Sequence, residues 1–222
     1  MLGRPILTQD KLNAHLTQLG DIQDVIWAPL YDANTYGSSG VLTLSFFALP
    51  QGQGTTSAPS ATGTKTLADT NLQAAGQLTK GNAFYCTGKE LVFFPGVNPG
   101  TNQAFTLSGN FINDTYVLGK SGVVTLTIGS NRTYIQDGPL NMFPPATRLA
   151  MASALGFGGV TTAVEVTYAA WSGEQYSITP VYIEATLGFQ VVLTWPALVP
   201  LPSTVNGRLF SRLRGYLNRN AQ

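Results

Sequence analysis

Apolar and polar residues alternate along much of this chain with a period of two, the signature of half-buried strands. The clearest run is Ile183–Trp195. Ile183, Ala185, Leu187, Phe189, Val191, Leu193 and Trp195 fall on one side; Glu184, Thr186, Gly188, Gln190 and Thr194 fall on the other, and Val192 is the exception. The run predicts one long strand, able to cross a whole sandwich. Shorter alternations predict strands around Leu42, Leu44 and Phe46; Val124, Leu126 and Ile128; Val164, Val166 and Tyr168; and Tyr176, Ile178 and Pro180.

Helical spacing is rare. Thr8 can cap a helix whose Leu12, Leu16 and Leu19 share a face and which Gly20 can end. A second helix is expected between strands over Phe111–Lys120. At the C-terminus, Leu209, Leu213 and Tyr216 fit a helix, whereas Leu209, Ser211, Leu213, Gly215 and Leu217 fit one face of a strand. Glycine disfavours a helix interior, so a strand is expected, with Arg208, Arg212 and Arg214 together on its other face.

Turn chemistry separates the strands. Pro50–Thr64 is rich in Gly, Ser, Thr and Pro and almost without charge before Lys65, which predicts an exposed loop. Pro95-Gly96 and Pro99-Gly100 bracket another turn, and Gly156, Gly158 and Gly159 lie in a third. With 24 glycines and 13 prolines among many short strands, the class is an all-β sandwich or barrel. The 222 residues show no linker-like break. They read as an N-terminal arm with a helix over 1–20 and one β domain over 21–222.

Composition then narrows the function. Apolar residues make up 44% of the chain, enough for a full core, but charged residues only 10%, far below the usual quarter. A free monomer ordinarily keeps a charged surface, so so few charges imply that much of this surface is covered by other protein. The net charge of +1 excludes a broadly basic nucleic-acid binder, yet Arg208, Arg212, Arg214 and Arg219 crowd the last fifteen residues with no acid among them. Such a block reads as an interaction tail or as a solvated basic end.

Catalytic chemistry is thinly supplied. Cys86 is the one cysteine and sits in an apolar stretch, as a buried thiol would. His15 is the one histidine; between Leu12 and Leu16 on the N-terminal helix it reads as a surface or partner-contact residue more than as the base of a Ser-His-Asp set, and one histidine with one cysteine leaves few ways to build a zinc site. Gly156-Phe157-Gly158-Gly159 lacks the lysine and spacing of a phosphate loop. Two carboxylates suffice for glycoside hydrolysis, and Glu90, Glu165 and Glu184 lie on strands, but three tryptophans offer few sugar platforms. No cofactor, metal or small-molecule substrate is expected. The N-terminus lacks the apolar core of a signal peptide, and no window reaches 18 apolar residues, so synthesis in the cytoplasm without export is expected.

Three stretches carry a resemblance: TNLQAAGQLTKGNAFYCTGKELVFFPG at 70–96, YIQDGPLNMFPP at 134–145, and FQVVLTWPALVPLPS followed by GRLFSRLRGYLNRNAQ at the end. Together they resemble jelly-roll capsid proteins of tailless icosahedral bacteriophages, which often enclose an internal membrane, over about the C-terminal two-thirds of the chain. Double jelly rolls are generally longer, so a single jelly roll with an arm and long loops is implied. The resemblance implies a major capsid protein of the virion, assembled in the host cytoplasm. It would form trimers or hexamer-like rings with itself and meet other virion proteins. Leu12, Leu16 and Leu19 would pack as an inter-subunit arm, and the Pro50–Thr64 loop would serve as a tower or strap. Arg208, Arg212, Arg214 and Arg219 would face inward, making non-specific contact with genome or membrane. The competing readings are a jelly-roll glycosidase or lectin, and a phage decoration or tail protein.

Overall fold

The structure, a computed structural model, describes residues 23–59, 61–97, 109–129, 134–140, 147–154, 164–171, 176–185 and 187–220. The expected N-terminal arm with Leu12, His15, Leu16 and Leu19, the Pro99-Gly100 pair and the Gly156–Gly159 loop lie outside these residues. The strands are β1 (Gln23–Trp27), β2 (Leu30–Tyr36), β3 (Thr43–Phe46), β4 (Asn82–Phe94), β5 (Val123–Ile128), β6 (Tyr134–Pro139), β7 (Thr147–Ala154), β8 (Val164–Trp171), β9 (Tyr176–Ile183), β10 (Phe189–Thr194) and β11 (Gly207–Asn220). Among the described residues one helix, α1 (Gly109–Ser121), lies between β4 and β5 and covers the expected Phe111–Lys120 segment.

The protein is an all-β sandwich. One sheet has the order β1-β11-β4-β9, with β2 also paired to β11, and the other has the order β3-β10-β5-β6. All their pairings are antiparallel. The chain passes from sheet to sheet at β2–β3, β3–β4, β4–β5, β9–β10 and β10–β11, which is the connectivity of a jelly roll. β7 and β8 form a separate antiparallel pair.

The two inner faces make one core. Val124, Leu126 and Ile128 of β5 and Phe189, Val191 and Leu193 of β10 meet Phe84, Leu91, Phe93, Leu209 and Leu213 from the other sheet. Tyr36 sits edge-on to both Trp195 and Phe93, with centroids 5.2 and 6.4 Å away, and its hydroxyl donates to the Val199 carbonyl. Trp195 is buried on the core side, its indole N–H donating to Leu118 O of α1 at 3.1 Å. That bond closes one end of the sandwich with the helix.

Two sequence expectations change here. The Ile183–Trp195 run is two strands in different sheets, not one long strand. The chain turns at Glu184–Gly188, where Leu187 N–H donates to Glu184 O and Gly129 N–H to Gly188 O. The alternation runs through the break because both halves face the same core from opposite sides: Ile183 from β9, then Phe189, Val191, Leu193 and Trp195. In β9, the alternation expected through Tyr176, Ile178 and Pro180 also fails. Ile178, Val181 and Ile183 are buried while Pro180 is exposed. The pairing jumps from Cys86↔Val181 to Gly88↔Ser177, a bulge that accommodates a proline with no N–H to give.

The C-terminus is a strand, as Gly215 suggests. β11 is hydrogen-bonded along one edge to β4 from Arg208↔Phe94 to Arg219↔Asn82. Its other edge pairs first with β2 and then with β1. At Gly215 the register with β4 shifts, leaving Thr87 as an extra residue. A Cβ on Gly215 would land on the Tyr85 carbonyl, a backbone atom that cannot swing away. Gly215→Ala is therefore expected to cost ~2–3 kcal/mol, seen as a lowered Tm on thermal unfolding. An unchanged Tm would mean the bulge is not tightly packed.

Candidate functional site: an arginine and aromatic face on the first sheet

The outward side chains of β11 are Arg208, Phe210, Arg212 and Arg214. Strand parity sets them opposite Leu209 and Leu213, which enter the core. Beside them on β4 lie Glu90, Val92 and Phe94. The Thr87 bulge has shifted β4 by one position, so that Phe84 and Cys86 point inward before it and Leu91 and Phe93 after it. Ala33 and Tyr31 of β2 complete a second, outer apolar cluster with Val92, Phe94 and Phe210. The Arg208 and Arg212 guanidiniums lie 4.4 and 5.5 Å from the Phe210 ring centroid.

Each of the four arginines named from sequence meets an acid of its own chain. Arg214 Nε donates to Glu90 Oε2 at 2.7 Å and Arg212 Nη1 to Glu90 Oε1 at 3.2 Å. Arg208 reaches Asp69 at 3.1 Å, Ser57 Oγ at 3.0 Å and the Ala68 carbonyl at 2.7 Å. Arg219, at the sheet's end, donates from Nε and Nη2 to the one oxygen Oδ2 of Asp24, at 2.9 and 2.7 Å. This segment is thus an inner strand of the sheet and not a tail. Removing Arg208–Gln222 would remove β11, so such a truncation tests folding and not the arginines' role.

Asp69 organises the neighbouring loop. It accepts from Thr56 Oγ1 (2.7 Å), Ser57 N–H (2.8 Å), Ser57 Oγ (2.7 Å) and Thr66 N–H (3.1 Å), besides Arg208. The Pro50–Thr64 segment is therefore fastened to the domain at Thr56 and Ser57. Thr56 and Ser57 are buried on this carboxylate and Ala58 behind them, its N–H donating to Thr56 Oγ1, while Gln51–Thr55 and Thr62–Thr64 stay exposed. A second fastener lies close by. Lys65 Nζ donates to Asp32 Oδ1 at 2.7 Å, both side chains being buried. Asp32 Oδ2 accepts the N–H of Phe47, a non-glycine residue held at φ 66°. Burial pushes the Asp32 carboxyl up, and Lys65 and the backbone donors pull against it without reversing the shift.

Trp27, Pro29, Tyr31, Leu67, Ala68, Phe210, Arg212 and Arg214 line an open groove of 530 Å³ on this face. Tyr31 is tied by its hydroxyl to Leu67 O at 2.6 Å. Trp27 stands edge-on to Tyr216 at 5.2 Å and remains 53% exposed. The chain matches no family model, no curated protein and no solved structure. The groove's chemistry consists of aromatic rings, guanidinium donors and the Glu90 carboxylate that two of them share.

Of the three carboxylates considered for sugar chemistry, Glu90 and Glu184 are not brought together. Glu90 is fully buried beneath its two arginines. Glu184 is exposed and follows Ile183, which pairs with Phe84. Six positions of β4 separate Phe84 from Glu90, roughly 20 Å, against the roughly 5–9.5 Å that glycosidases use. Glu165 belongs to β8, and its side chain lies outside the described residues. Cys86 is buried, and burial pushes its thiol up to about 12, which leaves it protonated and inert as a nucleophile. Among the described residues, no three His, Cys, Asp or Glu side chains cluster to hold a metal ion, and no helix is long and apolar enough to cross a membrane.

Asp69, Asp32, Lys65, Trp27 and Tyr31 carry no motif, and sequence reasoning passed over them. The interleaving of Phe210 with Arg208 and Arg212 is the one sequence signal that could have found this face. Burial pushes the Asp69 carboxyl up, but the donors from Thr56, Ser57 and Thr66 outweigh it and hold it at about 2. Its folded value thus lies below the ordinary 3.8. Its stabilisation is complete above that ordinary value and is lost as the pH falls from about 4 to about 2. Acid unfolding of the wild type and Asp69→Asn is expected to differ by ~2 kcal/mol at neutral pH, the gap closing across that window. A gap independent of pH would show that the carboxylate's charge is not what matters.

Proposed function

We propose that this chain is a structural protein of a virus particle, assembling with copies of itself, as a major capsid protein, into an icosahedral shell. The observation that carries the reading is where the charges sit. Of the 12 basic and 11 acidic residues, Asp32, Lys65, Asp69, Lys89, Glu90 and Asp114 are buried. Charge is spent inside the fold, so the outer surface is poorer in it than the composition already suggests. A monomer that must stay apart from its copies keeps the opposite balance.

The outer face of the second sheet fits the same reading. On β3, β10 and β5 it carries Thr43, Ser45, Gln190, Val192, Thr194, Val123, Thr125 and Thr127, none of them charged, and the one acid its register adds is Asp137 of β6, opposite Thr125. Thr43, Thr194 and Val123 form an exposed row across the sheet. Leu42, beside it, is 51% exposed, and Leu198 more so. Such a face pays little desolvation on meeting another protein surface, and a permanent interface buries upward of ~2,000 Å². Closed rings of subunits would build the capsomer, and the arginine-bearing face of the first sheet would turn inward.

Negative-stain microscopy and light scattering of the purified protein test this reading. Regular closed particles or capsomer rings are expected. Thr194→Glu, in the middle of the uncharged row, should reduce assembly at least tenfold while leaving the Tm unchanged. A wild-type protein that stays monomeric at high concentration, or that binds or cleaves polysaccharide as a small oligomer, would overturn the proposal.

A further inference from the structure

The four arginines of β11 and the acids they meet do not balance. Arg208 has Asp69 and Arg219 has Asp24, but Arg212 and Arg214 share the single carboxylate of Glu90. Among the described residues one positive charge is left over, and it lies in the groove that Trp27, Tyr31 and Phe210 also line. Each guanidinium carries five N–H donors. Among the described residues, Glu90 takes one from each. The rest can meet a second anionic oxygen group. Because Glu90 is buried and engages both arginines, it holds the two planar groups in place before any ligand arrives. Trp27 is oriented by its edge contact with Tyr216, with over half its surface open. The groove's 530 Å³ lies within the roughly 300–1,000 Å³ of small-ligand clefts.

We propose that this groove binds single-stranded nucleic acid, one base lying against Trp27 and its phosphate on Arg212 and Arg214. A recessed anion site beside aromatic rings matches the pairing of stacking platform and basic track that such strands use. Duplex or lipid headgroups would need a broader basic surface, and here Asp69 and Asp24 already neutralise Arg208 and Arg219. The inference deepens the shell reading by naming the partner of the inward face, and rests on it only for the source of the strand.

The test is fluorescence anisotropy of a labelled short oligothymidylate titrated with the full chain over a series of salt concentrations. Trp27→Ala should weaken binding about tenfold, and Trp27→Phe should restore most of it. Arg212→Gln, which leaves Glu90 paired with Arg214, should weaken binding and lower the salt slope by about 0.7. Lys120→Gln on α1, an equal loss of charge elsewhere, should change nothing. Thermal melts check that each variant is folded; should Trp27→Ala not fold, Arg212→Gln against Lys120→Gln decides alone. The proposal fails if Trp27→Ala binds as the wild type does, or if Lys120→Gln costs as much as Arg212→Gln. It fails equally if polyglutamate or anionic phospholipid vesicles compete as well as the oligonucleotide. Microscopy of the same preparations separates the two readings: particles without oligonucleotide binding sink only this one, and binding without particles sinks only the shell.

Discussion

The fold hangs on β11 being paired along both edges. Twelve of its fourteen residues pair with β4 along one edge, and its other edge pairs with β2 and then β1, so no other strand in the first sheet is held by as many described neighbours. A strand in that position has one dry face and must settle the charges on the other. Leu209 and Leu213 enter the core, and Arg208, Arg212 and Arg214 emerge together on the opposite face. Mostly buried guanidiniums on an inner strand need counter-charges on the sheet itself or on what covers it. Glu90 supplies one from β4, and Asp69 supplies another from the loop. The site on this face is therefore a consequence of the pairing that makes the sheet.

The same economy explains the long polar loop after β3. A segment so poor in apolar residues cannot anchor itself by burying them. It is anchored by carboxylates instead: Asp69 gathers Thr56, Ser57 and Thr66, and Lys65 reaches down to Asp32. Removing either partner of a buried pair strands the other in a dry environment, which is why such fasteners specify a single loop path. The path matters for the groove, because Leu67 and Ala68 form part of its wall and Tyr31 is fixed by the Leu67 carbonyl. Charges used as internal fasteners are also charges missing from the surface. A structural role in a shell and an anchored loop thus draw on one property of the chain.

Much of the architecture was written in the local pattern. Alternation named β3, β5, β8 and β10, glycine argued for a strand at the C-terminus, and the arginines' shared parity placed Arg208, Arg212 and Arg214 on one face. Those features depend only on which side of a strand a residue points to, and neighbours in sequence fix that. What the pattern could not carry were the places where the chain changes sheet or gains a residue. The Ile183–Trp195 alternation stays in phase across a turn, because a chain that crosses a shared core keeps its apolar residues inward. β4 reads as nearly continuous apolar sequence because Thr87 shifts its parity midway. Above all, partners were invisible: Glu90 with two arginines, Asp69 with Arg208 139 positions away, and Asp32 with Lys65 33 positions away. The sequence by itself determined an all-β chain with few charges and an arginine-rich last strand. Only the tertiary structure decided which of those charges cancel and which one is left beside Trp27, because electrostatic pairing acts across space and leaves no period along the chain.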